Sequence, residues 1–323
     1  MRVWQFTSLD PTGLGGVEKH IFSVSAELRQ MGHQVHIGTQ APSWISSGSD
    51  ATIIHTHGDT WPSLDLLRLT KRSKHIKWIH VSHGTSIGRL LACAEYFSFS
   101  GWRGTARDLI PVRLANAAIT VSTQVHDELR RFFRVNYPLK VIPGGVDPTA
   151  FKALEKLTSF PRLAFVGRSD DRVKNVDKLV QACVTVHERH SDFELWAFPG
   201  FEKKTSFVKN RGPVNGPQLA HALSECRALA LVSLYEGDGL VIREAQALGL
   251  PVIASRTRAI EQNLEGYANV AFVNPQSISQ IATAVEKIIY TPTIPPPTPR
   301  LRSWQQVARE FEAFYRQLTS ASK

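Results

Sequence analysis

Short apolar runs alternate along the chain with longer segments whose apolar residues recur at helical spacing. The run VWQFTSL at residues 3–9 predicts a buried strand, and residues 15–32 then carry apolar side chains three or four positions apart, as on one face of a helix. Further strands in this half are predicted at residues 34–40, 51–57, 76–83, 117–122 and 139–145. Strands that alternate with helices indicate a parallel sheet covered by helices.

A second series of the same kind begins near residue 160. Its strands are predicted at residues 162–167, 193–200, 228–234 and 251–255, and its helices at residues 176–190 and 276–290. The segment FKALEKLTSFP between the two series has little pattern, and a proline-rich stretch precedes a last helix at residues 303–318. The sequence therefore predicts an α/β protein with two successive units, residues 1–155 and 156–300, and a C-terminal helical segment, residues 301–323.

The composition is that of a globular protein, because 42 % of the 323 residues are hydrophobic and 20 % are charged. No apolar run reaches the length of a membrane span, and the start MRVWQFTSLDPTG lacks the apolar segment of a signal peptide. The three cysteines are far apart and are expected to be reduced, mostly packed thiols. Together these features predict a cytoplasmic protein.

The net charge of +10 is concentrated in one part of the chain. Residues 71–140 contain 12 Lys or Arg against 4 Asp or Glu. Such a surplus is compatible with a well-solvated surface, with an anionic membrane or substrate, and with nucleic acid. No nucleic-acid-binding motif accompanies it, so nucleic acid is the least favoured of these partners.

Two loops after predicted strands carry groups that suit a phosphate. GLGG at residues 13–16 precedes the first predicted helix, where the free amides of a helix N-terminus attract anions. FVGRSDDRVKN at residues 165–175 places Arg168 and Lys174 after the carboxyl end of a strand, the edge where open α/β sheets bind ligands. A tight turn without ligand and a surface loop of mixed charge remain as alternatives.

The stretch YEGDGLVIREAQALGLPVIAS at residues 235–255 places two carboxylates, Glu236 and Glu244, around a glycine turn and a helix that starts near Leu240. A carboxylate only accepts hydrogen bonds, so each one suits the paired hydroxyls of a ribose or sugar. For Glu244 a structural alternative exists, since an acidic side chain in the first turns of a helix stabilises it through the helix dipole.

These features occur together in a known family. The chain resembles, over most of its length, the retaining glycosyltransferases of family 4. The segments that carry the resemblance are GLGGVEKH, HVSHGT, AAITVSTQVHDEL, VIPGGVD, FVGRSDDRVKN and, most specifically, SLYEGDGLVIREAQALGLPVIAS. The resemblance implies the GT-B fold, in which two Rossmann-like domains face each other across a cleft. The N-terminal domain would lie on the acceptor side, the C-terminal domain would bind a nucleotide-sugar, and the C-terminal helix would return to the N-terminal domain.

The resemblance also implies roles for individual residues, and the catalytic ones would be Arg168, Lys174, Glu236 and His83. Arg168 and Lys174 would bind the diphosphate and stabilise charge on the leaving group. Glu236 would bind hydroxyls of the donor sugar, and His83 would face the same sugar, with a structural histidine at a strand end as the alternative. Backbone amides of the glycine turns and the ribose-binding carboxylate would complete the donor site, namely Gly15, Gly16, Gly237, Gly239, Leu240 and Glu244.

Three further expectations follow. Asp238 departs from the family, which usually has an aromatic residue there, and no role is assigned to it. His55 and His57 form an H-x-H pattern, a weak metal signal; since the family commonly works without a bound metal, no metal or other cofactor is expected, and the two histidines are placed near the acceptor. The base of the nucleotide would lie near residues 197–203 and 208–215.

The implied activity is the transfer of a hexose-type sugar, with retention of configuration, in cell-surface glycan or polysaccharide synthesis. The donor would be a nucleotide-diphosphate sugar, a UDP-sugar ahead of GDP-mannose, and the acceptor a saccharide or a lipid-linked glycan. A sugar-nucleotide epimerase or a phosphorylase with the same fold is the main alternative. A nucleic-acid-binding protein is the least favoured one.

Residues 86–104, SIGRLLACAEYFSFSGWRG, mix apolar and aromatic side chains with Arg89 and Arg103, and the basic KRSKHIK lies upstream. This pattern predicts a basic, amphipathic face that meets anionic lipid at the inner face of the membrane. The same apolar residues would equally suit a core: Leu90, Leu91, Phe97, Phe99 and Trp102.

Overall fold

The computed structural model describes residues 1–9, 15–45, 51–58, 64–73, 75–94, 99–155, 157–201, 205–291 and 301–320. Contacts divide the chain into two units, one formed by Met1–Gly145 together with Arg302–Lys323, and the other by Val146–Leu301. Each unit contains one six-stranded parallel sheet. The predicted α/β fold with two Rossmann-like domains is therefore confirmed, as is the return of the C-terminal helix to the N-terminal unit.

The sheet of the first unit has the strand order β2-β1-β3-β4-β5-β6. Its strands are β1 Arg2–Phe6, β2 Gln34–Ile37, β3 Thr52–His57, β4 Ile76–Ser82, β5 Ala117–Thr120 and β6 Leu139–Val141. Its first five helices are α1 Gly16–Gln30, α2 Leu64–Arg72, α3 Ser86–Ala92, α4 Phe99–Leu114 and α5 Thr123–Phe132. All six residues of β3 are buried, as expected for a central parallel strand with helices on both faces.

The sheet of the second unit has the strand order β12-β11-β10-β7-β8-β9. Its strands are β7 Arg162–Val166, β8 Glu194–Phe198, β9 Val208–Asn210, β10 Ala228–Leu231, β11 Val252–Ser255 and β12 Val270–Val273. Its helices are α6 Val176–Arg189, α7 Gly216–Ser224, α8 Leu240–Leu248, α9 Arg258–Asn263 and α10 Ile278–Tyr290. Two apolar clusters, one on each face of this sheet, form its core.

The last helix, α11 (Trp304–Ser320), packs on α1 within the first unit. Its start lies close to Gly145, where an added β-carbon would approach the backbone nitrogen of Trp304 to 2.8 Å. Glycine at this position therefore allows the close approach of two backbone segments.

The first unit ends at Gly145 and the second begins at Val146, so this boundary lies before the predicted one at residue 155. Residues 146–155 belong to the second unit, because Val146 and Phe151 are buried in its core and the Leu154 amide donates to the Leu248 carbonyl at 3.0 Å. The weak pattern of this segment reflects a connection that is anchored by two apolar side chains rather than by a strand or helix.

Most observed strands end before the predicted runs do, whereas β3 and β11 end at the predicted residues His57 and Ser255. β1 ends at Phe6 and β10 at Leu231, because the chain leaves each sheet at its carboxyl edge to form a loop. β9, β12 and helices α2, α3, α4, α7 and α9 had no sequence prediction. Among the described residues, no helix is long and apolar enough to cross a membrane.

Candidate active site

Lys174 and Glu236, both predicted as catalytic, form an ion pair in the second unit. Lys174 Nζ donates to Glu236 Oε1 at 2.6 Å, and Ser233 Oγ donates to the same oxygen at 2.7 Å. The side chains are 21 % and 9 % exposed, so both are largely withdrawn from solvent. The Lys174 side chain passes over Gly167, where a β-carbon would lie in van der Waals contact, 3.4 Å from Lys174 Cδ and Cε.

The loop that carries Lys174 is fixed by its own polar side chains. Asp171 caps a 3₁₀ turn, Arg172–Lys174, by accepting from the Val173 amide at 3.1 Å. Asn175 adopts a left-handed conformation, and its Nδ2 donates to the carbonyls of Val232 at 3.1 Å and Pro275 at 2.7 Å. The short side chain of asparagine tolerates this conformation, so it turns the chain into α6 and ties the loop to the sheet.

Arg168 has a different environment from Lys174. Its side chain is 71 % exposed, and Nη2 donates to Asp171 Oδ2 at 3.3 Å. The guanidinium is well solvated, and Asp171, which is 6 % exposed, keeps its hydrogen bond from the Val173 amide, so Arg168 can leave Asp171 at small cost to meet a bound anion. Burial alone therefore makes Lys174 the more preorganised of the two cations.

The start of α8 lies directly after Glu236. Gly237 is buried, and Gly239 adopts φ +67°, a left-handed conformation that turns the chain into the helix at Leu240. The first amides of a helix have no partner within it, and the helix dipole is positive there, so this turn favours an anion. Glu244, the fifth residue of α8, is only 4 % exposed.

Asp238 belongs to a buried polar network that sequence reasoning missed. Arg243 Nη2 donates to Asp238 Oδ1 at 2.9 Å and to Asn263 Oδ1 at 2.6 Å. Asn263 Nδ2 in turn donates to the backbone carbonyl of Asp238. Asp238 is thus anchored within the protein, and the network holds the glycine turn against α9. The spacing of an acidic residue in the turn and an arginine in α8 was the available signal.

Gly15 and Gly16 lie at the start of α1 in the first unit and are exposed. A β-carbon at Gly15 would lie 2.2 Å from Glu18 Oε2, so the Glu18 carboxylate covers the helix N-terminus. An anion that binds at these amides has to displace this carboxylate. Gly13, from the same predicted loop, lies outside the described residues.

His83 follows β4 and is partly exposed. His57 Nδ1 lies 3.2 Å from His83 Nε2, and His57 Nε2 lies 2.6 Å from Gln5 Oε1. Burial lowers the pKa of His57 well below its ordinary value, so this ring is neutral. Because the Gln5 oxygen can only accept, His57 Nε2 carries the proton, His57 Nδ1 accepts, and His83 Nε2 donates. Sequence reasoning had not connected Gln5 with His83.

Further buried histidines surround this chain of rings. Burial lowers the pKa of His20, His55 and His80 to about 3. His55 packs between Phe311 and Tyr315 of α11, and neither of its nitrogens has a hydrogen-bond partner among the described residues. His55 and His57 are both buried. Their place near the acceptor stays a prediction. No group of three possible metal ligands occurs in the described ranges.

Comparison with known proteins places these sites in a family. A family model described as "Glycosyl transferases group 1" matches residues 160–290, and one described as "Glycosyltransferase Family 4" matches residues 40–150. An uncharacterized glycosyltransferase of Methanocaldococcus jannaschii is 24 % identical, over 90 % of this chain and 88 % of that protein. The chain belongs to the family 4-like glycosyltransferases.

The fold of this glycosyltransferase is the GT-B fold. Sucrose-phosphate synthase from Thermosynechococcus elongatus is similar over 99 % of both chains, with a TM-score of 0.79 and 16 % identity. The catalytic domain of starch synthase IV from Arabidopsis thaliana, bound to ADP and acarbose, is similar over 99 % of both chains, with a TM-score of 0.62 and 11 % identity. The Lys174–Glu236 pair and the start of α8 lie in the segment matched by the first family model.

Proposed function

We propose that this glycosyltransferase moves a hexose-type sugar from a nucleotide-diphosphate donor to a saccharide or lipid-linked acceptor, with retention of anomeric configuration. A UDP-sugar is the expected donor, ahead of GDP-mannose, and a cell-surface glycan or polysaccharide is the expected product. No metal or other cofactor is required in this proposal. The observation that carries it is the Lys174–Glu236 pair, held 2.6 Å apart beside the positive end of α8.

The chemistry of the donor explains why such a site would work. The bond between the sugar C1 and the β-phosphate oxygen breaks, and negative charge builds on the diphosphate. Lys174, Arg168 and the first amides of α8 would stabilise that charge, which preorganised donors do better than water. The acceptor oxygen forms the new bond to C1 and passes its proton to a donor phosphate oxygen.

Glu236 and Glu244 would hold the two ends of the donor. Glu236 would accept from hydroxyls of the sugar, while Lys174 moves its hydrogen bond towards the phosphates. Glu244 would accept from the ribose hydroxyls, and its burial would make each such bond stronger than one in water. Gly15 and Gly16 would contribute amides, and His83 would face the sugar.

A nucleotide-binding experiment tests the donor site. We expect one of UDP, GDP or ADP to raise the melting temperature, because a ligand far above its Kd stabilises by a few kcal/mol. Glu244→Ala should weaken that nucleotide by about 10- to 100-fold, since hydrogen bonds to a charged group contribute roughly 1.5–3 kcal/mol. It should weaken the 2′-deoxy nucleotide much less, because that ligand already lacks one ribose hydroxyl.

The alternatives give different results. Stabilisation by NAD or by an oligonucleotide alone would overturn the proposed donor site. Release of free nucleotide without any acceptor would favour an epimerase, and dependence on inorganic phosphate would favour a phosphorylase. NMR of the product's anomeric carbon decides between retention and inversion.

A further inference from the structure

Helix α4 presents a mixed apolar and basic face to solvent. Trp102, Leu109 and Leu114 are 50 %, 38 % and 43 % exposed, respectively. Arg103, Arg107 and Arg113 are exposed as well. Positions 102, 106, 109 and 113 form one helical stripe, and positions 103, 107 and 114 form the adjacent one, so these side chains share one continuous side of the helix. We call this side the α4 face.

The opposite side of α4 explains why the face is oriented outward. Pro111 and Val112 are buried, and Val112 packs with Leu129 and Phe133 of α5 and its C-terminal end. Asp108 is the acidic residue in the α4 sequence, and it points inward, where it accepts from the Ser86 amide at 2.7 Å. The described α4 residues that form this face therefore include three arginines and no acidic residue.

Exposed large apolar side chains concentrate in this region. Among the described residues, five of the seven lie on α3, α4 and α5, namely Leu91, Trp102, Leu109, Leu114 and Phe132. Leu91 and Arg89 are both exposed on α3, on different sides of that helix, and α3 packs against α4. Leu90 is buried, Phe97 lies outside the described residues, and nothing is described of the Phe99 side chain. Only part of the predicted amphipathic segment is thus core.

We infer that the α4 face binds the surface of an anionic lipid bilayer. Tryptophan and leucine side chains insert at the boundary between headgroups and acyl chains, and arginine stems reach from there to phosphates. The charge of the face is complementary to anionic headgroups and to no neutral surface. The face is the convex outer side of one helix, which suits a soft headgroup layer better than a preformed protein groove.

Such binding would bring the enzyme to acceptors that are carried on lipid. Each arginine near an anionic surface contributes about a fivefold gain in partitioning. The effect falls off within a Debye length, so it weakens as salt rises. The three arginines of the α4 face therefore provide attraction, and the three apolar side chains provide insertion.

Flotation with lipid vesicles tests this inference on the full chain. We expect wild-type protein to float with vesicles of phosphatidylcholine and phosphatidylglycerol in equal parts, and to float poorly with phosphatidylcholine alone. Arg103→Glu/Arg107→Glu should lower the partition coefficient by about 30-fold or more. Trp102→Ala/Leu109→Ser should also lower it without a change in net charge. The matched control is Lys287→Glu/Arg309→Glu, which changes the same amount of charge at exposed positions elsewhere.

The other outcomes overturn the inference. Absence of flotation with anionic vesicles would do so, and so would flotation that the control pair reduces as much as the α4 pair does. A concentration-dependent dimer that the α4 variants abolish would assign the face to a second copy of the chain. Salt-sensitive binding of an oligonucleotide to the same face, without vesicle binding, would assign it to nucleic acid. Nucleotide binding measured in the same samples reports the donor site separately.

Discussion

Arg243 Nη2 lies 2.9 Å from Asp238 Oδ1, and both side chains are at least nine-tenths buried. The pair joins the glycine turn before α8 to a residue within α8, and Asn263 ties both to the end of α9. Asp238 therefore helps to set the position of the amides at Gly239 and Leu240. Its carboxylate is committed to Arg243, which explains how an acidic residue is accommodated where an aromatic one was expected.

Removing one partner of the Asp238–Arg243 pair should lower stability more than neutralising both partners. We expect Arg243→Met to lower the free energy of unfolding by about 3–5 kcal/mol, because it leaves a buried carboxylate without its cation. Asp238→Asn/Arg243→Met removes the charge as well and should cost clearly less. Urea unfolding measures both, and Arg256→Met, at an exposed ion pair, serves as the control. A double variant that loses as much unfolding free energy as Arg243→Met, or more, would contradict this explanation.

Lys174 should matter more for turnover than Arg168. We expect Lys174→Met to lower kcat by roughly 100- to 1000-fold, as for loss of one preorganised group that stabilises developing charge. Arg168→Met should cost about tenfold, since its exposed side chain adopts the required position only part of the time. Steady-state kinetics with the donor identified by thermal shift gives the comparison, with Lys287→Met as the control. Equal effects of the two substitutions on kcat would contradict the greater preorganisation of Lys174.

The sequence could predict the second unit's site in outline. The carboxyl-edge rule for parallel sheets brought Lys174 and Glu236 to one edge, and the helix start at Leu240 came from the glycine turn and the apolar pattern that follows it. The partners of Asp238 could not be predicted, because Asn263 is distant in sequence and its side chain gives no periodic signal.

The first unit was less predictable for a physical reason. Four buried polar residues lie within strands that the sequence shows as ordinary apolar runs, namely Gln5, His55, His57 and His80. Their side-chain contacts depend on the order of the strands in the sheet. The register that pairs Gln5 with His55 and Thr56 with His80 follows from the order β1-β3-β4, which no local pattern encodes. Burial of the His55 ring against Phe311 and Tyr315 of α11 depends on a segment more than two hundred residues away.

The buried histidines should make the first unit sensitive to acid. Folded-state pKa values of about 3 for His20, His55 and His80 lie below the unfolded value near 6.5. The unfolded chain therefore binds more protons as pH falls below about 6.5, and stability decreases until about pH 3. Each histidine contributes about 1.4 kcal/mol per pH unit in that window. Melting temperatures from pH 7 to pH 4 measure the slope.

His55→Phe offers a sharp version of this test. Both His55 nitrogens are buried without a partner in the described structure, and aromatic rings of α11 surround the site. We expect the substitution to raise stability at pH 7 by about 1–3 kcal/mol, the cost of an unsatisfied buried polar group. It should also reduce the loss of stability per pH unit by the contribution of one histidine. His221→Phe, at an exposed ring in the second unit, should change neither. Loss of stability with His55→Phe would show that a water satisfies the ring.

Gln5 should influence His83 through His57. Gln5 Oε1 accepts from His57 Nε2, which leaves His57 Nδ1 to accept from His83 Nε2 and thereby fixes the tautomer of His83. Gln5→Leu removes the acceptor while it keeps the size, and the buried Gln5 Nε2 has no described partner to lose. We expect kcat to fall about five- to tenfold, the effect of losing one orienting hydrogen bond of about 1 kcal/mol. The KM for the donor should change little.

Two readouts separate this positioning effect from a structural one. Nitrogen-15 NMR of the histidine rings should show protons on Nε2 of both His57 and His83 in the wild type, and a mixture of tautomers in Gln5→Leu. Gln5→Glu keeps an acceptor oxygen and adds a negative charge, which raises the pKa of His57, so kcat should recover while the acidic limb of its pH profile moves upward. A purely structural role for Gln5 would move neither the tautomers nor the profile, and the loss of activity would instead follow the melting temperature.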